Sequence, residues 1–171
     1  MKKLIYKALF FFVSKNAFSH NDIFEIARKG SVEEIIQTLK DNPNLANKNN
    51  KEGLTPLILA CQRGNDEVAN YLINTFENVN ISNDFGAALM TCAIKGNSII
   101  AKLLLEKKAN PNIKDAEGNT ALIYAVQFRK FELVKLLLDY NADRKIRDNL
   151  GKTAFEYAAF SNEERLVNLL K

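Results

Sequence analysis

The sequence predicts an all-α solenoid built from stacked helix-turn-helix units, and two observations carry that prediction. The first is a glycine register: Gly53, Gly86, Gly118 and Gly151 recur at spacings of 33, 32 and 33 residues. The second is the order of segments after each glycine: a short apolar segment, a polar break and a second apolar segment with helical spacing. In Asp115–Asp143 the second segment places Leu133, Val134, Leu136, Leu137 and Leu138 on one wide stripe. Two short helices and a turn cannot bury their apolar faces alone, so the unit is stable only beside copies of itself.

The copies align residue by residue. Leu57, Leu89, Leu122 and Phe155 share one position, and Ala60, Cys92, Ala125 and Ala158 share another three residues on. The second helices align as Val68–Leu72, Ile100–Leu104, Leu133–Leu137 and Leu166–Leu170. Gly53-Leu54-Thr55-Pro56-Leu57, with Ala60-Cys61 as a small pair and Gly64 between the helices, carries the pattern most fully. This resembles the ankyrin repeat over about residues 20 to 171. The resemblance implies an ankyrin-repeat solenoid with β-hairpin-like turns, whose concave side is lined by turn tips and first helices and binds another protein.

Taken in order, residues 1–19 have a basic start, an apolar run from Ala8 to Val13 and the small-x-small ending Ala17-Phe18-Ser19. That layout predicts a secretory signal peptide cleaved between Ser19 and His20. The competing reading is an amphipathic helix that docks on the first repeat. The run falls far short of the roughly 20 residues that span a bilayer. Residues 20–47 are expected to be a degenerate capping repeat, with Phe24, Ala27, Ile35, Ile36 and Leu39 at helical spacing and a stop at Asn42-Pro43-Asn44.

Repeats are expected over 48–82, 83–114, 115–147 and 148–171. In the first of these, Phe76-Glu77-Asn78 replaces the family's Gly-Ala-Asp closing loop, so the loop is either reshaped or presents Phe76 outward. The 83–114 unit is one residue short within Phe85-Gly86-Ala87-Ala88 and loses the Thr-Pro pair there. Lys108 takes its left-handed closing position, at about 1 kcal/mol. This repeat is therefore expected to be the least stable. Asn141 fills the equivalent position in the next repeat, and polar residues from Asn162 to Lys171 suit a terminal cap.

Composition narrows the function classes. With 171 residues and 47% hydrophobic content, a buried core is feasible. The net charge of +4 equals the four lysines of residues 1–19, where there is no acid, so the remaining domain is balanced. No attraction to nucleic-acid phosphate is implied. The sole histidine is His20, and Cys61 and Cys92 are too few for a metal site and lack a basic partner. Neighbouring repeats pack about 10 Å apart, which favours two buried free thiols over a disulfide. Neither a cofactor nor a metal nor catalysis is expected.

Where the family often has histidine, the chain has Ile58, Met90, Ile123 and Glu156. A histidine ladder between repeats is thus absent and apolar packing is expected to hold the stack, with Tyr124 and Tyr157 in register to stack on each other. Carrying the family's contact positions over gives Lys51, Glu52, Leu54, Gln62 and Arg63, then Asp84, Phe85, Ile94 and Lys95. The last two repeats add Ala116, Glu117, Asn119, Gln127, Phe128, Asn149, Leu150, Lys152 and Phe160. Leu54, Phe85, Ile94, Phe128, Leu150 and Phe160 are expected to form an exposed apolar strip. The expectation is a monomeric interaction module that binds an unidentified protein, exported to a bacterial periplasm or secreted, or cytoplasmic if residues 1–19 stay in place. Alternatives are an inhibitor or immunity-type protein, or an accessory factor that stabilises an envelope or redox enzyme.

Overall fold

A computed structural model describes residues 22–76 and 78–171. The expected signal segment and its Ser19–His20 cleavage point lie outside the described residues. Within them are five helix pairs: α1 Ile23–Lys29 with α2 Val32–Asp41, α3 Pro56–Arg63 with α4 Asp66–Thr75, α5 Ala88–Lys95 with α6 Ser98–Glu106, α7 Ala121–Gln127 with α8 Phe131–Asp139, and α9 Ala154–Phe160 with α10 Glu164–Leu170. The first members pack on one another in sequence, as do the second members, giving an inner and an outer layer. Between the layers runs one continuous core that includes Ile35, Leu59, Ile73, Met90, Leu104, Leu122, Leu137 and Leu166. None of the described helices is long and apolar enough to cross a membrane.

Each inner helix starts on a threonine where the sequence supplies one. Thr55, Thr120 and Thr153 accept hydrogen bonds from the backbone N–H groups of Ile58, Ile123 and Glu156. Glu156 reciprocates by accepting from the Thr153 backbone N–H at 2.6 Å, and the bonds from Thr153 and Arg147 hold its carboxyl down at about 2. The third repeat has Ala87 at this position and no side-chain cap. Its missing residue shortens the turn to a two-residue hairpin, in which β1 Ser82–Asn83 pairs antiparallel with β2 Gly86–Ala87. Gly86 has φ +91°, and a Cβ there would run into the Met90 sulfur.

The break between layers recurs in left-handed backbone at Gly64, Gly96, Arg129 and Asn162. Lys108 and Asn141 close their outer helices in the same conformation, as expected. The second repeat does not: Phe76 ends α4 in extended backbone and packs half-buried against the core, so the loop is reshaped and Phe76 is not presented outward. Pro43 stops α2 and opens a 3-10 turn over Pro43–Asn47. Ile36, named among the residues at helical spacing, stands 43% exposed beside the buried Ile35.

Apolar packing is not alone in holding the stack. A ladder of asparagines and backbone groups joins neighbouring repeats along every edge. At the turn tips, Asn83 Nδ2 donates to the Gly53 carbonyl at 2.7 Å, Ala116 N–H to Asp84 O at 3.1 Å, and Asn149 N–H to Glu117 O at 3.0 Å. At the helix breaks, Asn65 Nδ2 donates to Gly30 O at 2.9 Å and Asn97 Nδ2 to Asp66 Oδ1 at 2.7 Å. At the closing loops, Asn110 N–H donates to Asn80 Oδ1 and Asp143 N–H to Asn112 Oδ1. These bonds lie at exposed or half-buried residues, and each links one repeat to the next.

Candidate functional site

The turn tips and inner helices form one face, and a groove of about 410 Å³ lies along it between the third-repeat and fourth-repeat tips. Its walls include Arg63, Asp84, Phe85, Ile94, Glu117 and Tyr124. Each turn holds its tip out by a local hydrogen-bond set. In the fourth repeat Asp115 Oδ1 accepts from the N–H groups of Glu117 at 3.0 Å and Asn119 at 2.8 Å. Asn50 and Asp148 do the same in their own turns.

The tyrosines do not stack on each other. Tyr124 O–H donates to Asp115 Oδ2 and Tyr157 O–H to Asp148 Oδ2, both at 2.5 Å, which ties each turn to its own inner helix. Burial and the Asp115 carboxylate push the Tyr124 phenol up to about 12. The ring that does meet Tyr124 is Phe128, at 6.3 Å between centroids. Lys152 Nζ lies over the Phe160 ring at 4.9 Å and the Tyr157 ring at 5.5 Å.

Of the predicted contact residues, Lys51, Glu52, Arg63, Asp84, Phe85, Lys95, Ala116, Glu117, Gln127, Phe128, Asn149, Leu150 and Phe160 are exposed. Gln62, Ile94 and Lys152 are half-buried on the same face. Two expectations are corrected. Leu54 is only 5% exposed, because the turn around Asn50 folds its side chain under the tip and into the core. Asn119, at the equivalent position, is 6% exposed beneath Tyr124 and Glu117. The exposed apolar side chains at the predicted positions are therefore Phe85, Phe128, Leu150 and Phe160, with Ile94 half-buried. Tyr124, Asp115 and Thr91 also line the groove, and no local sequence signal marks them as contact residues.

Among the described residues, no group of three or more His, Cys, Asp or Glu side chains is placed to hold a metal. Cys61 and Cys92 are free and buried. The neighbouring Cys61 and burial push the Cys92 thiol well above its ordinary range. A thiol so placed is held away from the reactive thiolate form.

The family model described as "Ankyrin repeats (3 copies)" matches residues 23–115 and 89–171. The chain belongs to the ankyrin-repeat family. It is 49% identical over 59 residues to an ankyrin repeat protein of Acanthamoeba polyphaga mimivirus, covering 33% of this chain and 14% of that protein. It is 37% identical over 95 residues to an ankyrin repeat-containing protein of Treponema pallidum, covering 54% and 32%. A fowlpox virus ankyrin repeat protein is 33% identical over 114 residues, covering 66% and 26%. The chain thus matches less than a third of the length of these relatives. Ankyrin repeats generally serve as protein–protein interaction modules.

Proposed function

We propose that this chain is a non-catalytic binding module that holds a protein partner on the concave face formed by the turn tips and inner helices of its second to fifth repeats. The observation that carries the reading is the exposed apolar strip. Phe85, Phe128, Leu150 and Phe160 are 66, 49, 75 and 73% exposed on one face, beside a groove of about 410 Å³. Phe85 lines that groove, and large exposed apolar side chains repeated along one face are characteristic of interface anchors. The absence of catalysis is supported by the elevated Cys92 thiol and by a sequence whose sole histidine is His20.

Alanine at both Phe85 and Phe128 is the test. Partner binding should fall by about 30- to 800-fold, as removal of two anchors of about 1–2 kcal/mol each implies. The melting temperature should stay within about 2 °C of the parent. A large loss of stability would make the two side chains core residues and overturn their role. We further propose export, supported by the composition of residues 1–19. A mature N-terminus at His20, found by intact mass and N-terminal sequencing from native cells, is the expected result, and one at Met1 refutes it.

A further inference from the structure

The concave face alternates in character from one repeat to the next. Equivalent tip positions hold Glu52, Phe85, Glu117 and Leu150, and equivalent inner-helix positions hold Gln62, Ile94, Gln127 and Phe160. The second and fourth repeats therefore each present a Glu and a Gln. The third and fifth each present a pair of apolar side chains. In the polar gap between the two apolar pairs, Phe128 stands beside Gln127 at 49% exposure. Neither Asp84 nor Glu117 has an ion-pair partner among the described residues.

These spacings discriminate between backbones. Packed helices lie about 8–10 Å apart, so the two apolar pairs are roughly 20 Å apart with Glu117 midway. An α-helix advances about 10.5 Å in seven residues, just short of two turns, and returns to nearly the same face. An extended chain covers the same step in about three residues, an odd number, which turns the next side chain away from the surface. A helix can thus meet three successive repeats with one face, and an extended strand cannot.

We propose that the occupant of the concave face is an amphipathic helix of the partner protein, lying along the stack with an apolar, a basic and a second apolar residue at successive steps of about seven residues. The first apolar residue rests on Phe85 and Ile94. The basic residue lays its alkyl stem on Phe128 and its charge on Glu117. The second apolar residue rests on Leu150 and Phe160. This inference depends on the concave-face interaction proposed above and adds the form and chemistry of the partner segment.

The experiment introduces the photo-crosslinking residue p-benzoylphenylalanine singly at positions 85, 128 and 160 of the full chain in its native cells, with exposed Lys102 on the outer layer as control. Crosslinked partner residues are mapped by mass spectrometry. The expected result is one partner segment crosslinked at three points, each about seven residues from the next. Glu117→Lys should reduce the crosslink from position 128 by about tenfold, since it turns an attraction into a repulsion. Steps of about three residues, crosslinks to unrelated segments, or indifference to Glu117→Lys would overturn the helix while leaving the concave-face reading in place. Crosslinks from 85, 128 and 160 no stronger than from position 102 would overturn both.

Discussion

Replacing Tyr157 by Phe removes one hydroxyl and leaves the ring, so it isolates the bond that ties the last turn to its inner helix. That bond is an O–H donated to Asp148 Oδ2 at 2.5 Å, and Asp148 is 7% exposed. Its other oxygen accepts from the N–H groups of Leu150 at 2.9 Å and Lys152 at 2.8 Å, and both survive the substitution. A hydrogen bond to a charged group contributes about 1.5–3 kcal/mol, and the half-buried position of Tyr157 puts the loss near the lower end, at about 1.5 kcal/mol. Burial alone would raise the Asp148 carboxyl, but the bonds from Tyr157 and from the two backbone N–H groups outweigh it and hold the group below its ordinary value. A depressed carboxyl contributes stability that is present above the unfolded value of about 3.9 and is lost as pH falls through the folded one. The deficit of Tyr157→Phe should therefore be full at pH 7 and shrink below about pH 4. Urea unfolding across that range measures it, with amide exchange in α9 to localise the effect to the last repeat. A double-mutant cycle with Asp148→Asn should give a coupling of about 1 kcal/mol. A deficit below about 0.3 kcal/mol, or one that stays constant down to acid pH, would refute the reasoning.

Four further outcomes are expected. Leu54→Ala should cost about 2–4 kcal/mol in urea unfolding, since it empties a buried site; a near-neutral result would return Leu54 to the surface strip. Lys108→Gly should stabilise by about 0.5–1 kcal/mol, because relief at φ 63° exceeds glycine's added chain entropy. Arg129→Gly should gain less although its φ is 55°, because the arginine also pairs with Glu163 at 3.4 Å; equal gains in thermal unfolding would count against that distinction. Finally, Tyr124 ionises at about 12 in the folded chain, against about 10 unfolded. Its contribution is complete below pH 10 and lost between about 10 and 12, so Tyr124→Phe should show a shallower alkaline loss of stability. Phenolate absorbance showing every tyrosine ionising near its ordinary value would refute it.

The repeat architecture was legible because its signals are local. A glycine that can adopt positive φ, a threonine cap and a 3.6-residue stripe each report on a few neighbouring residues, and their recurrence at Gly53, Gly86, Gly118 and Gly151 multiplies the signal. The left-handed breaks at Arg129 and Asn162 were not marked in this way, because side chains other than glycine carry that conformation there. The candidate face was legible in its outline. Phe85, Phe128, Leu150 and Phe160 occupy positions that the family exposes. Leu54 departs from that pattern because burial at the base of a turn depends on how the Asn50 side chain gathers the Glu52 and Leu54 N–H groups. The pairing of Tyr124 with Asp115 was hidden for a similar reason, since a tyrosine in an apolar stripe reads as core until its hydroxyl meets an acceptor nine residues away.

By itself, the sequence determined the number of units, the helix pairs and the stripe each pair buries, because those depend on spacing along one chain. Tertiary structure decided how the units are joined and which side chains remain outside. Asn83, Asn97 and Asn149 are unremarkable polar residues until a neighbouring repeat brings a carbonyl or carboxylate within about 3 Å, at Gly53, Asp66 and Ala116. Phe155 occupies the same position as the buried Leu89 and Leu122, yet stands 38% exposed. Among the described residues the inner helix that packs on α9 is α7. In a stack, burial is a property of the neighbour as much as of the residue.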